Sequence, residues 1–153
     1  MFKRLCVSAL ALSAAAMAAG RTDLNGTWQL DRSRSTIGDD KLKDETLDIQ
    51  QKEDSVQIAD ALTEADGKQR KSGIQCNTLG KECKLKGEQV SAWYNGEALV
   101  IMETLRNDVA VKRRLKASDD GRTLNVEVTR MTPSGKKSES FTFTRQQTAA
   151  AQR

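Results

Sequence analysis

No histidine stands anywhere in the 153 residues, and this decides much of the chemistry open to the chain. Ser-His-Asp and Cys-His nucleophile pairs, a His-ligated zinc or haem, and an imidazole general base are all excluded. The residues whose type and spacing remain informative are two cysteines and three arginines. Cys76 and Cys83 enclose Asn77-Thr78-Leu79-Gly80-Lys81-Glu82, while Arg113, Arg130 and Arg145 each end or interrupt an apolar alternation. In an oxidising compartment an even cysteine pair reads as a disulfide, and Asn77 and Gly80 give the intervening turn the freedom to close. A zinc site is the competing use of the pair. Zinc wants about four ligands, and no histidine exists to complete the set. A structural disulfide is therefore expected, with no metal and no cofactor.

The compartment follows from the first twenty residues. Lys3 and Arg4 precede an unbroken apolar-or-small run over residues 5–16, and Ala16-Met17-Ala18 is an A-x-A cleavage signal. This is the pattern of a secretory signal peptide over residues 1–20. The run is shorter than the roughly 20 apolar residues of a membrane span. Cys6 precedes the apolar core, the wrong place for lipoprotein processing. A periplasmic or secreted product, monomeric and not lipid-anchored, is expected.

Removing Lys3 and Arg4 lowers the formal charge from +4 to +2. Nucleic-acid binders carry a marked basic excess or a basic stripe, and Lys112-Arg113-Arg114 and Lys136-Lys137 are too short for one. Nucleic acid is not an expected partner.

The elements that must position these residues are strands. Leu47-Asp48-Ile49, Val56-Gln57-Ile58, residues 109–115, residues 124–128 and Phe141-Thr142-Phe143 alternate apolar and polar with period two. Asp66-Gly67, Asn95-Gly96, Asp119-Asp120-Gly121 and Pro133-Ser134-Gly135 stand between strands as turns. No amphipathic helical run interrupts them. An antiparallel meander of eight to ten strands, with no helical layer to cover its apolar face, closes on itself. The fold expected is all-β, an up-and-down barrel over residues 21–145, with a disordered tail over residues 146–153. Residues 32–43, after a first strand over residues 26–31, are a candidate lid.

Pairing Leu115 with Leu124, and Val126 with Phe141, puts Val109, Val111, Arg113, Leu115, Leu124, Val126, Val128, Phe141, Phe143 and Arg145 on one inward face. Walking back through a turn at residues 105–108 adds Met102, Val100 and Ala98, with Trp93 opposite. Val90, Ala92, Leu99 and Ile101 are equally apolar, so the inner face of this hairpin stays open.

Leu24-Asn25-Gly26-Thr27-Trp28-Gln29-Leu30 resembles the Gly-x-Trp opening strand of lipocalins and fatty-acid-binding proteins, the calycin superfamily. Those families place an arginine on the last strand, over the tryptophan; Arg145 occupies the matching place. The sequence is also similar to lipocalin-like proteins secreted by many bacteria, over roughly residues 24–145. The physics of the pair is consistent. Gly26 lets the strand bend, and the Trp28 indole offers a guanidinium a cation–π seat worth about 0.5–2 kcal/mol. Gly26, Trp28 and Arg145 would then close the barrel rather than bind a ligand.

The resemblance implies binding of a small hydrophobic or amphipathic molecule, since barrels of this size either hold one ligand or fill with side chains. Val100, Met102, Val109, Val111, Val126, Val128 and Phe141 are the candidate apolar lining. Arg113 points inward between Val111 and Leu115, where an unpaired charge is costly. It must pair with a carboxylate, reach an opening, or receive an anionic head group, with Arg130 joining from the rim. The site expected is Arg113, Val111, Val126, Phe141 and Arg130.

Catalysis is not expected. Glu103, Glu127 and Glu139 fall mostly on the predicted outer face, and no nucleophile motif or phosphate-cradling glycine loop occurs. Asn25-Gly26-Thr27 is a sequon that coincides with the barrel motif. The rival to a ligand carrier is a protein-binding envelope module, like the small disulfide-bearing barrels that inhibit proteinases. It would dock through residues 21–24, or through the 76–83 loop with Trp93-Tyr94 as anchors. A structural envelope protein without any ligand is a third reading.

Overall fold

The computed structural model describes residues 20–85 and 87–147. All of the expected leader except Gly20, and the expected tail from residue 148 on, lie outside the described residues. Ten strands run through the described chain: β1 (Gly26–Leu30), β2 (Leu42–Gln51), β3 (Ser55–Glu64), β4 (Gln69–Asn77), β5 (Leu79–Leu85), β6 (Glu88–Asn95), β7 (Ala98–Thr104), β8 (Ala110–Ala117), β9 (Thr123–Thr132) and β10 (Gly135–Arg145). All ladders are antiparallel, and the order is β4-β3-β2-β1-β10-β9-β8-β7-β6-β5. The fold is a lipocalin-like up-and-down barrel of ten strands. β1 and β10 close it, with Trp28 opposite Arg145.

β4 and β5, the sheet's two edges, share no ladder, so the barrel is nearly but not fully closed. β5 carries an irregularity between Leu79 and Glu82. A disulfide between Cys76 and Cys83 ties the two edges together, with Cα atoms 5.6 Å apart. The Cys76 sulfur also lies 3.8 Å from the Val90 carbonyl of β6.

Turn chemistry changes two registers from those expected. Val126 does pair with Phe141, but Leu115 faces Val126 and Ala117 faces Leu124. The loop between β8 and β9 is pinned by Ser118 N–H donating to the Thr123 carbonyl, so β8 runs two residues further and the faces are preserved. Between β7 and β8, Asn107 and Asp108 adopt positive φ and Leu105 N–H reaches the Val109 carbonyl. Thr104 then faces Ala110 and Ile101 faces Arg113. This decides the face of the hairpin that the sequence left open: Leu99, Ile101, Val90 and Ala92 join the core, while Ala98, Val100 and Met102 point the other way.

The closed end is filled by side chains around Trp28. Leu24, Trp28, Ile49, Leu99, Leu115, Leu124 and Phe143 are almost wholly inaccessible. The Trp28 indole N–H donates to the Leu24 carbonyl at 2.9 Å, so its polar edge is satisfied inside the core.

The expected lid is a 3-10 turn, Arg32–Arg34, capped by the Asp31 carboxylate, then an extended stretch in which Thr36 bridges to Ser140. The first strand ends at Leu30, one residue before the expected limit, because Asp31 serves as that cap. β2 begins at Leu42, within the stretch expected to be irregular.

Candidate functional site

The end of the barrel opposite Trp28 encloses a cavity of about 640 Å³. Its apolar walls come from alternate residues of six strands, because period-two alternation sends every second side chain inward. Leu47, Ile58, Ile101, Val111, Leu115, Val126, Phe141 and Phe143 supply that surface. The Phe141 and Phe143 rings stack with centroids 6.5 Å apart. Residues 37–39 and 41 border the mouth, where the Gly38 N–H donates to the Glu139 carboxylate at 2.8 Å.

All five residues expected at the site, Arg113, Val111, Val126, Phe141 and Arg130, border this cavity, with Arg130 exposed at the rim. Val128 borders it too. Val100 and Met102 face away from it, and Val109 lies outside the strands, beside the β7–β8 turn.

Of the three fates open to Arg113, the structure shows an internal carboxylate partner. Its guanidinium lies 3.6 Å from Glu103. Glu103, expected on the outer face, is turned inward beside Ile101 by the corrected β7 register. Glu139, also expected outside, faces Val128, borders the cavity and pairs with Lys137 at 3.4 Å. Glu127, by contrast, is exposed and faces Arg114.

Two further carboxyls of the interior were missed by the sequence reading. Glu45 continues the inward row of Leu47 and Ile49, and Asp60 that of Val56 and Ile58. Each ends an apolar alternation two positions on, and following that parity would have found them. Burial pushes Glu45 up to about 8, with the Asp60 charge adding to the effect and Arg113 opposing it. Burial also raises Asp60, while Arg113 draws it back down. Asp60 Oδ1 is buried without a hydrogen-bond partner among the described residues.

A smaller cavity of about 140 Å³ lies where β4 and β5 part. Ser72, Gly73, Ile74, Leu85 and Val90 line it, together with Ile58, Asp60, Glu103 and Arg113. The last four also border the main cavity, so the charged group stands between the interior and the strand opening. Among the described residues, no group of three or more His, Cys, Asp or Glu side chains is placed to hold a metal ion. The carboxyls can instead share a proton or accept hydrogen bonds from a guest.

At the closed end, the Arg145 guanidinium lies 4.2 Å from the centroid of the Trp28 ring. It donates to three backbone carbonyls: that of Gly121 at 2.6 Å, that of Asp23 at 2.9 Å, and that of Asn25.

No protein-family model and no curated protein matches the chain. Among solved structures, the barrel is similar to a mutant of the REP1-NXSQ fatty acid transporter, with a TM-score of 0.56 and 15% identity over 80% of this chain and 98% of that one. It is also similar to zebrafish ileal bile acid-binding protein complexed with cholic acid, with a TM-score of 0.50 and 14% identity over the same shares. At these identities the likeness is one of fold.

Proposed function

We propose that the chain is an exported carrier barrel that holds one small hydrophobic or amphipathic molecule in its interior. The observation that carries this reading is the cavity itself. Its volume of about 640 Å³ falls in the roughly 300–1,000 Å³ range of small-molecule sites, and its walls combine an aliphatic and aromatic surface with charged side chains. The fatty acid and bile acid proteins of similar fold support the same reading.

Export rests on the leader pattern in residues 1–20, and the disulfide suits an oxidising compartment. The protein-binding alternative has less behind it. Tyr94 is engaged internally, accepting from Gln51 and lying under the Arg21 guanidinium at 4.3 Å. Among the described residues, Leu79, 55% exposed beside the disulfide, is the exposed large apolar side chain, and Trp93 is half-buried.

Titration with Nile red, an uncharged solvatochromic dye, tests the carrier reading. One dye should bind per barrel, and Val126→Trp, which fills the cavity, should weaken binding at least about tenfold while circular dichroism keeps its strand signature. An unresponsive dye, together with native mass spectra of host-purified protein showing no bound molecule, would overturn the reading.

A further inference from the structure

We propose that the cavity selects an amphipathic molecule with a cationic head group, an ammonium or guanidinium, and discriminates against carboxylate amphiphiles. This rests on the carrier reading above and adds the charge of the guest.

Three carboxyl side chains, Glu45, Asp60 and Glu103, share the interior with one guanidinium, Arg113. They come from two pairs of neighbouring strands, β2–β3 and β7–β8, with β1, β10 and β9 between the pairs, so the barrel's curvature brings them into one group. Arg113 is already opposed by Glu103 at 3.6 Å. Among the described residues, Glu45 and Asp60 form no ion pair of their own and share the influence of Arg113 with Glu103. An anionic head group would have to displace Glu103 from Arg113 and then lie among three half-buried carboxyls, where repulsion is less screened than in bulk water. A cationic head group meets the opposite situation: it supplies the missing counter-charge.

Protonation supports this assignment. Glu45 is faced by Asp44 on its own strand, Asp60 on β3 and Arg113 on β8, and burial dominates their sum, pushing it up to about 8. Asp60, faced by Arg113, Glu45 and Glu103, is also raised by burial. In the empty barrel near neutral pH, the pair therefore shares a proton. A bound cation takes that proton's place, and the proton leaves to the buffer. The mouth adds no strong anion attraction. Arg70 pairs with Glu64 at 2.5 Å and Lys137 with Glu139 at 3.4 Å, leaving Lys41 and Arg130 against Asp39 on the rim. One net positive charge there is screened by water and salt.

Displacement of Nile red from the full chain by three twelve-carbon probes tests the charge rule: dodecyltrimethylammonium, dodecanol and laurate. Near pH 8 the ammonium should displace the dye at a concentration at least about tenfold lower than laurate, with dodecanol between them. Because the trimethylammonium charge is fixed, its affinity should fall toward about pH 6 as the carboxyl pair fills with protons. Calorimetry in phosphate and Tris buffers should show proton release on ammonium binding, absent in Glu45→Gln. Glu103→Gln, which frees Arg113, should improve laurate binding. The pH series on the unmodified chain needs no variant to fold. Laurate binding as tightly as the ammonium, with dodecanol also bound, overturns the charge rule and leaves the carrier reading standing. If none of the three probes displaces the dye and the dye itself does not bind, both fall.

Discussion

Arg145 sits over the Trp28 ring, its guanidinium 4.2 Å from the ring centroid, and the two are also Cα partners across the β1–β10 ladder. The contact closes the barrel twice, through backbone and side chain. Gly26, at φ +120°, leaves room for it: a Cβ there would stand 3.2 Å from the Arg145 Nη1. Arg145→Ala should destabilise the fold by about 1–2 kcal/mol, through lost stacking and packing. Urea denaturation checks this, and a variant as stable as the parent would show the contact to be incidental. Gly26→Ala should be destabilising as well, since its backbone conformation suits only glycine.

The disulfide is the covalent tie across the one pair of neighbouring edges without a ladder. Replacing Cys76 and Cys83 together with serine should cost about 2.5 kcal/mol in the chain-entropy model. It should also speed exchange of any bound dye through the opening between β4 and β5. Denaturation and stopped-flow dye release measure the two effects; unchanged stability would argue against a structural role.

Stability should depend on pH through the interior carboxyls. Glu45 titrates near its ordinary 4.5 in the unfolded chain and at about 8 in the barrel, so the folded state binds the extra proton between those values. The empty barrel should therefore lose stability as pH rises from about 4.5 to about 8, and raised Asp60 acts in the same sense. Asp31, Glu97 and Asp120 are lowered by hydrogen bonds from Ser33, Lys116 and Ser118, so any stability they add is lost only in acid, below that window. Glu45→Gln should flatten the decline. Urea midpoints across the range that stay level or rise would contradict the assignment.

Export should leave a chain that begins at Ala19 or Arg21. Intact mass of the protein recovered from outside the cytoplasm checks this; a mass that includes residues 1–18 would overturn the localisation.

Much of the barrel was legible in the sequence because period-two alternation is a local property. Val111, Arg113 and Leu115 share a face whatever they pack against, and Val126 meets Phe141 because the β9–β10 turn sets their distance. The Gly26-x-Trp28 opening and the cysteine spacing are local signals of the same kind. Turn geometry was less legible. Asn107 and Asp108 at positive φ moved one pairing by a single residue, which was enough to turn Glu103 and Ile101 inward and Met102 and Val100 outward.

What the sequence by itself determined is the strand grammar: which residues alternate, where the chain turns, and that one apolar face must be buried. What only the tertiary structure decided is which charges meet. Glu45 and Asp60 lie more than forty residues from Glu103 and Arg113 in the chain, and no local pattern links them. Closure of the sheet puts all four around one cavity, and burial there raises the pKa of Glu45 and Asp60. Charge in a protein interior depends on neighbours and dielectric, and both are properties of the folded barrel.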